Sequence, residues 1–463
     1  MTEETQTVPS RPRAPQPANP TKKLVHDAEQ QAKGQSNRMS ILVAIGTRPE
    51  AIKMIPVIRA LQHSDAFFPI VISTGQHEEL VADLFHEAGM RIDATLHASR
   101  REAGVVPSLN EMVARIIVGI DRLWSAKSVP EDMRADGRRG PQGAIACLVH
   151  GDTSSASAAA LAAFNLQIPV VHVEAGLRTS NLMEPFPEEG NRQIISRLAA
   201  VHFAPTAANK ANLIHEGIDF DRIVVTGNTS IDMMMLAAEH EGDFGPGLQE
   251  IYEDQARRVV LVTAHRRENW GEGLEGVADA LERLSVRYPE TAFVVPMHPN
   301  PIARQPLLER LGEHRNVYLV EPRDYFSFMR LIARSSLIIT DSGGVQEEAP
   351  ALGIPVLVTR SVTERSEGVA AGTLELVGTD PGHIVLSASL VLDRSDTELA
   401  AARANAPLNP YGDGRAAERI VQALAQVRRG GAMPDQFEGD TLQDAVFRHM
   451  NRTDLLARRR GRA

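Results

Sequence analysis

The sequence predicts an α/β protein made of two Rossmann-like, doubly wound domains with the active-site cleft between them. Three observations support this prediction. The chain has 463 residues, which is too long for one hydrophobic core. Short apolar runs alternate with helix-length segments from residue 41 onward, and the same alternation starts again near residue 258. Continuous apolar runs of this kind are typical of parallel strands that are buried on both faces.

Ten apolar runs predict the strands of the two sheets. The first domain has five, which are ILVAIG (41–46), IVIST (70–74), AIACLV (144–149), IPVVHV (168–173) and RIVVTG (222–227). The second domain has five more, which are RVVLVTA (258–264), AFVVP (292–296), NVYLV (316–320), SLIIT (336–340) and IPVLVT (354–359). Because helix-length segments separate them, both sheets are predicted to be parallel.

Composition and the positions of Gly- and Pro-rich segments predict where the domains begin and end. A Gly- and Pro-containing stretch from Asn228 to Gln255 predicts a linker, and the polar residues 125–143 predict a surface loop. The predicted units are a disordered tail (1–39), an N-terminal Rossmann-like domain (40–228), a C-terminal Rossmann-like domain (229–405), a C-terminal helix (406–428) and a second tail without an assigned role (429–463).

The composition also limits the classes of function. A net charge of −10 argues against broad nucleic-acid binding, and no apolar run reaches the roughly 18 to 20 residues that a membrane span needs. The opening MTEETQTVPSRPRAPQPANP lacks the apolar segment of a secretion signal, and the lone Cys147 excludes an internal disulfide. We therefore predict a cytoplasmic protein without nucleic-acid or membrane partners.

Ligands bind beyond the carboxyl ends of the strands in open α/β sheets, so the residues that follow each run are the candidates. Arg48 and Lys53 follow the first run, at the start of a helix whose free N–H groups favour anions. They predict a diphosphate or carboxylate site, although a solvated basic helix end is the alternative.

Carboxylates gather after the third and fourth predicted strands. Asp152 follows the third strand behind His150, and Glu174 ends the fourth. Glu188, Glu189 and Arg192 follow after a Pro-containing loop. Carboxylates that share one cleft repel, which raises some of their pKa values and provides an acid beside a base. The alternatives are that Asp152 caps a helix and that Glu188 or Glu189 does the same.

The second domain carries groups suited to phosphate and ribose. His265, Arg266 and Arg267 follow its first strand, and His298 follows the second. The Ser342-Gly343-Gly344 turn opens a helix where backbone amides could approach a diphosphate, and Glu348 could accept from ribose hydroxyls. Three further polar residues lie near the same edge, namely Thr363, Glu364 and Arg365.

Several cofactor motifs are missing from the sequence. No GxGxxG follows a strand, no GxxxxGK[ST] occurs, and no Cys and His residues have zinc spacing. We therefore predict neither a bound cofactor nor a metal.

Taken together, these segments closely resemble the non-hydrolysing UDP-N-acetylglucosamine 2-epimerase family over residues 40 to 428. The resemblance rests on ten blocks in order: GTRPEAIKM, TGQH, VHGDT, HVEAGLRT, PEEGNR, TGNT.ID, TAHRREN, DSGGVQEEAPALG, TERSEG.AAGT and NPYGDGRA. It implies a fold similar to two-lobed GT-B glycosyltransferases, with the C-terminal helix crossing back to the first domain. It also implies a homodimer.

The resemblance implies reversible C2 epimerisation of UDP-N-acetylglucosamine to UDP-N-acetylmannosamine, a precursor for cell-surface polysaccharide. The implied route removes the C2 proton, loses UDP to give 2-acetamidoglucal, and then adds UDP back. Catalytic roles fall on Asp152, Glu174, Glu188 and His265, and the division of acid and base among the carboxylates stays open. Substrate binding falls on Arg48, Lys53, Arg192, Ser342, Gly343, Gly344, Glu348 and Arg365.

The resemblance further implies a regulatory second UDP-N-acetylglucosamine held by Gln76, His77, Arg115, Arg266 and His298. Pro296 departs from the family pattern and predicts an altered backbone near His298. Three alternatives stay open: a glycosyltransferase that uses the same cleft, a hydrolysing epimerase, and a non-catalytic sensor of sugar nucleotides.

Overall fold

The computed structural model describes residues 38–437, apart from 102–103, 125–143, 180, 240–246, 267–268, 364 and 431–432. Predictions for the tail before residue 38, the loop at 125–143 and most of the tail after 429 therefore lie outside the described residues. The same holds for the predicted site residues Arg267 and Glu364.

The first domain is a seven-stranded parallel sheet in the order β3-β2-β1-β4-β5-β6-β7. Its strands are β1 (Met39–Ile45), β2 (Phe67–Ser73), β3 (Ala94–Thr95), β4 (Ala144–His150), β5 (Val170–Val173), β6 (Ala199–Ala204) and β7 (Ile223–Val225). Its helices are α1 (Arg48–His63), α2 (Glu78–Glu87), α3 (Leu109–Trp124), α4 (Ser154–Asn165), α5 (Glu188–Leu198) and α6 (Ala207–His215).

Two helices, α7 (Thr229–Ala238) and α8 (Gln249–Glu253), precede the second sheet, which has six parallel strands in the order β10-β9-β8-β11-β12-β13. Its strands are β8 (Val259–Thr263), β9 (Ala292–Pro296), β10 (Val317–Val320), β11 (Leu337–Thr340), β12 (Val356–Val358) and β13 (Glu375–Leu376). The helices that follow are α9 (Glu272–Arg287), α10 (Pro301–Leu311), α11 (Tyr325–Arg334), α12 (Gly343–Glu348), α13 (Ser366–Ala370), α14 (Pro381–Leu392), α15 (Asp396–Ala404) and α16 (Ala416–Arg429).

All ten predicted strands are present, and three strands were not predicted. β3 and β13 have two residues each, which is too short for a periodic signal. β6 has the sequence AAVHFA, whose alanines and histidine lack the β-branched character of its neighbours. The prediction of two parallel α/β sheets is confirmed.

The segment from Asn228 to Gln255 is not the linker that the sequence predicts over its whole length. Helix α7 packs against α1 of the first domain and α11 of the second. Its residues Ile231, Met233 and Met234 are fully buried. The apolar run that contains Met233 and Met234 therefore forms a helix in the core between the domains, because leaving it in an exposed linker would expose a large apolar area to water.

The C-terminal helix α16 lies against α1 and α7. Asp232 of α7 accepts hydrogen bonds from the first backbone amides of α16, Ala416 N at 3.2 Å and Ala417 N at 2.8 Å. A few residues beyond α16, Phe437 N donates to Val225 O at the end of β7. The chain after the second sheet thus returns to the first domain.

Within the described part of the chain, no helix combines the length and the apolar character that a bilayer crossing requires.

Candidate active site

The carboxyl ends of the two sheets meet at Asn228, which follows β7. The Asn228 side-chain amide lies 3.3 Å from Glu174 Oε1 in the first domain and 3.5 Å from Glu347 Oε2 in the second. On the second-domain side, Arg365 donates to Glu347 from Nε at 3.0 Å. One continuous set of polar contacts therefore connects the candidate residues of both domains.

Glu174 is the most constrained carboxylate of the first domain. It directly follows β5 with φ of +62°, which is an unusual backbone conformation for a residue with a side chain. Lys53 Nζ donates to Oε1, and His150 Nε2 lies 3.6 Å from Oε2. Burial alone would raise the pKa of Glu174, but the positive charge of Lys53, its hydrogen bond and the nearby histidines together outweigh burial and lower that pKa to about 2. Glu174 is therefore ionised at neutral pH.

Lys53 and His150 respond to the same surroundings in different ways. Burial lowers the pKa of Lys53, but Glu174 and Glu347 together outweigh burial and raise it. Burial lowers the pKa of His150 to about 4, so this imidazole is neutral. The centre of the site is consequently a buried Lys–Glu pair beside a neutral histidine whose Nε2 has no hydrogen-bond partner among the described residues.

Asp152 is held by Arg192 and does not cap helix α4. The N-cap is Thr153, whose side chain accepts from Ala156 N, so the capping alternative for Asp152 is wrong. Arg192 donates from Nε at 3.0 Å and from Nη2 at 2.6 Å, both to Asp152 Oδ2. The second oxygen, Oδ1, has no hydrogen-bond partner in the described part of the chain and is open to a ligand.

Glu188 and Glu189 begin helix α5 and have different surroundings. Glu189 is fully buried and accepts from Thr179 N and from Arg192, so it fixes the loop and the arginine. Glu188 Oε2 is buried without a partner in the described residues. Pro187 occupies the N-cap without a side-chain bond, so neither glutamate is the capping residue that one alternative expected. Of the two, only Glu188 has an oxygen free for chemistry.

The turn between β1 and α1 is organised by Glu50, which sequence reasoning missed. Its buried carboxyl group accepts from Gly46 N at 3.0 Å, Thr47 N at 2.6 Å and Thr153 Oγ1 at 2.8 Å. Glu50 thereby ties the turn that carries Arg48 to the turn that carries Asp152. The half-buried Arg48 guanidinium has no hydrogen-bond or ion-pair partner among the residues that the structure describes.

In the second domain, His265 lies between an aspartate and a second histidine. Its Nδ1 is 3.0 Å from Oδ1 of the fully buried Asp341. The rings of His265 and His298 are stacked, with centroids 6.2 Å apart and an interplanar angle of 9°. Strand β9 ends at Pro296, and Met297 N still donates to Val320 O, so the predicted disturbance of the backbone near His298 is absent.

The Ser342-Gly343-Gly344 turn opens helix α12 as the sequence predicts. Ser342 is the N-cap, but its hydroxyl makes no capping bond. A Cβ on Gly343 would lie 2.8 Å from Arg365 Cζ, so this glycine allows the guanidinium to approach the turn. Free amides, a free hydroxyl and a guanidinium are thus gathered at one helix N-terminus, which suits an anion.

Glu348 lies one helical turn later and is buried beside Glu347. Burial, together with the charge of Glu347, raises the pKa of Glu348 to about 8. The Tyr325 hydroxyl lies 3.5 Å from Oε1. Near pH 7 this carboxyl group is largely protonated and has both a donor and an acceptor to offer to vicinal hydroxyls.

The five residues predicted to hold a second nucleotide lie around this cleft. His77 Nδ1 is 3.5 Å from Arg48 N, and Gln76 Oε1 accepts from Ser155 Oγ at 2.6 Å. Arg115 donates to the carbonyls of Ala98 and Arg100 in the loop after β3. Arg266 Nε is buried without a partner among the described residues, and His298 stacks on His265 as described above.

Sequence reasoning missed three residues that join these groups, namely Asn228, Asp341 and Glu347. Each lies in or beside a block that was already recognised, and Asn228 and Asp341 directly follow or lie next to a strand end. That position was the available signal. Within the described ranges, no three His, Cys, Asp or Glu side chains form a group that could hold a metal ion.

Comparison with known proteins assigns this architecture to a family. The sequence model described as UDP-N-acetylglucosamine 2-epimerase matches residues 59–425, which is most of the chain. The chain belongs to the UDP-N-acetylglucosamine 2-epimerase family. The predictions of the family, of an enzyme of this class and of the GT-B-like fold are confirmed.

Individual relatives in the family cover the chain to a similar extent. The UDP-N-acetylglucosamine 2-epimerase of Neisseria meningitidis serogroup A is 41% identical over 396 residues, which are 84% of this chain and all of the relative. That of Escherichia coli K12 is 40% identical over 395 residues, 84% of this chain and 99% of the relative.

Solved structures of the family align as well. The Neisseria meningitidis enzyme bound to UDP-GlcNAc superposes with a TM-score of 0.70 at 40% identity, covering 84% of this chain and 100% of that one. The putative enzyme from Listeria monocytogenes gives a TM-score of 0.74 at 38% identity, covering 86% and 99%. The roles of individual site residues stay predictions.

Proposed function

We propose that this chain interconverts UDP-N-acetylglucosamine and UDP-N-acetylmannosamine by reversible inversion at C2. The observation that carries the proposal is the contact of Asn228 with Glu174 on one side and Glu347 on the other. This contact connects the proton-transfer groups of the first domain to the anion-binding turn of the second. Relatives about 40% identical carry the name of this activity, which supports the same assignment here.

The chemistry needs a carboxylate at C2 and cations at the diphosphate. The C2 proton is not acidic without a neighbouring carbonyl group, so a base has to act while the diphosphate departs. In the first domain, Asp152 Oδ1 and Glu188 Oε2 have no hydrogen-bond partner among the described residues, which supports them as the proton-transfer atoms. Glu174, held ionised by Lys53, keeps the lysine oriented towards the cleft and adds negative charge near C1 as the leaving group departs.

The second domain, together with Arg48 of the first, supplies the groups for the nucleotide. Arg48, His265 and Arg365 would contact the diphosphate together with the amides of the Ser342-Gly343-Gly344 turn, and Glu348 would bind the ribose hydroxyls. Preorganised donors at this position stabilise the charge that develops when the C1–O bond breaks. Arg192, which is already paired with Asp152, would contribute to substrate binding indirectly, by orienting the Asp152 carboxylate.

The proposed reaction proceeds in two balanced halves. A carboxylate takes the C2 proton while the electron pair of the C1–O bond leaves with UDP, which gives 2-acetamidoglucal with a C1–C2 double bond. A carboxyl group then returns a proton to the opposite face of C2, and UDP oxygen adds to C1. Lys53 and Arg48 remain positively charged beside the departing diphosphate throughout both halves.

Other predictions from the sequence belong to the same proposal. They are the functional units 40–228 and 229–405, the homodimer, the cytoplasmic location, regulation through Gln76, His77, Arg115, Arg266 and His298, and supply of precursor for cell-surface polysaccharide. The packing of α7 between the domains supports a boundary at its start, because this helix contacts both of them.

The deciding experiment follows UDP-N-acetylglucosamine by NMR in D₂O without an acceptor. We expect deuterium at C2 and an equilibrium mixture of the gluco and manno isomers. Absence of both deuterium and the manno isomer would contradict the epimerase assignment. Sugar transfer on addition of an acceptor would favour a glycosyltransferase. Accumulation of free N-acetylmannosamine and UDP would instead identify a hydrolysing epimerase.

A further inference from the structure

Asp341 directly follows β11 and is completely buried. Its Oδ2 atom accepts hydrogen bonds from the backbone amides of His265 and Arg266, each at 2.8 Å, and from Asn269 Nδ2 at 3.3 Å. These contacts fix the chain just after β8. One carboxylate group therefore determines the path of the segment that presents His265.

The other oxygen of Asp341 lies close to the His265 ring. Oδ1 is buried and makes no hydrogen bond of good geometry with any described residue, while His265 Nδ1 lies 3.0 Å away. A buried carboxylate oxygen is costly to leave without a proton donor. Among the described residues, the donor closest to this oxygen is a hydrogen on His265 Nδ1, so Asp341 favours the tautomer that carries it.

The same carboxylate connects two ligand-binding segments. Asp341 precedes the Ser342-Gly343-Gly344 turn, and Ser342 N donates to Thr340 Oγ1, the hydroxyl that also contacts Thr263 on β8 at 2.5 Å. Strand ends β8 and β11 are neighbours in the sheet. Displacement of Asp341 would therefore shift His265 relative to the turn.

We infer that Asp341 is a positioning residue that holds His265 with a proton on Nδ1, so that Nε2 is the ring nitrogen that can take up a second proton and then donate to the substrate diphosphate. The inference rests on the proposed function for its effect on turnover, but the tautomer of His265 can be observed independently of any reaction. Asp341 itself does not touch the substrate. It acts through His265.

The test compares Asp341→Asn with wild type. An asparagine keeps the size of the side chain and can still accept from the two backbone amides, but its NH₂ group then faces His265 and requires Nδ1 without a proton. We expect turnover to fall by about 10²-fold or more, because a ring that faces an amide instead of a carboxylate loses the charged donor that stabilises the departing diphosphate, while the KM for the sugar nucleotide changes severalfold at most.

A double-mutant cycle separates positioning from a general structural effect. If Asp341 acts through His265, Asp341→Asn added to His265→Gln lowers turnover no further than His265→Gln alone. Independent, multiplicative losses would overturn the inference. Asp380→Asn is the matched control, because Asp380 also accepts from a backbone amide, His383 N at the start of α14, but is exposed to solvent. We expect this variant to keep wild-type turnover.

The tautomer itself is read from long-range ¹⁵N–¹H spectra of histidine-labelled protein between pH 7 and 9, with His265→Gln to assign the signals. We expect the neutral His265 ring of wild type to carry its proton on Nδ1 and the Asp341→Asn ring to carry it on Nε2. A wild-type ring protonated on Nε2 would overturn the inference even if the variant does not fold. If wild type lacks epimerase activity but has the Nδ1 proton, the proposed function fails and the positioning role stands.

Discussion

Two buried glutamates at the facing edges of the domains, Glu174 and Glu348, have pKa values shifted in opposite directions. In the first domain Glu174 lies against Lys53, whose charge holds its pKa at about 2. In the second domain burial and the neighbouring Glu347 raise the pKa of Glu348 to about 8. Both glutamates are buried, so the sign of the neighbouring charge makes the difference. Glu174 is therefore ionised beside a cation, whereas Glu348 is largely neutral near pH 7.

Two aspartates at these edges also have different partners. Asp152 of the first domain is paired with Arg192, whereas Asp341 of the second is satisfied largely by backbone amides. The turn at Gly343 leaves its own amides free for a ligand. We take this contrast to mean that the first domain is organised for proton transfer and the second for binding an anion. Each prediction below tests one part of that division.

The largest effect is expected from removing a proton-transfer carboxylate. Asp152→Asn and Glu188→Gln should each lower turnover by about 10² to 10⁴-fold, because each abolishes one acid/base group. Affinity for UDP, measured by calorimetry, should stay near wild type. Glu184→Gln is the control, since Glu184 lies on the exposed loop before α5. Loss of UDP affinity in either variant would contradict the division between the two edges.

The first domain also contains buried histidines that have no counterpart in the second among the described residues. Burial lowers the pKa of His172 to about 4 and that of His202 to about 3, and neither ring nitrogen of His202 has a partner in the described residues. The unfolded chain takes up a proton near pH 6.5 and the folded chain does not. The stability from the neutral rings is thus complete above pH 6.5 and is lost as the pH falls towards 4 and 3.

His202→Leu should remove one such contribution. Between pH 7.5 and 5 the unfolding free energy should fall by about 2 kcal/mol less in His202→Leu than in wild type, because the variant has no ring to protonate. Denaturant unfolding at the two pH values measures this difference. The exposed His215→Leu in the same domain serves as control and should fall as much as wild type. Equal falls in wild type and His202→Leu would show that the ring is not a neutral, buried group.

The smallest effect is expected at Arg48, which belongs to the first domain but faces the anion site. Arg48→Ala should weaken UDP binding by about tenfold through loss of one charge-assisted contact, with little change in stability because the guanidinium has no protein partner in the described residues. Arg59→Ala on the exposed face of the same helix should bind UDP like wild type. If the Arg48→Ala variant binds UDP with unchanged affinity, Arg48 does not contact the nucleotide.

Much of the local structure was predictable because it depends on neighbours in the chain. The apolar runs of β1 and β9, for example, are continuous and bounded by turn residues, so burial on both faces follows from their composition. The opposite holds for α7. Its Met-rich run looked like part of a linker, and only contact with helices of both domains makes it a buried helix.

In the candidate site, too, some features were predictable from local sequence and others were not. Residue types at strand ends were sufficient to single out Glu174, Asp152 and His265, since the carboxyl edge of a parallel sheet is known in advance. Their charge partners were not assigned from the sequence, because Lys53 is 121 positions from Glu174 and Asp341 is 76 positions from His265.

The sequence by itself thus determined the two parallel sheets, the family and the chemical types of the site residues. Only the tertiary structure decided which carboxylate is neutralised, which oxygens of Asp152 and Glu188 stay free, and that Asp152 is not a helix cap. The physical reason is distance. Secondary structure arises from patterns a few residues long, whereas ionisation and hydrogen bonding depend on groups that meet only after the chain has folded.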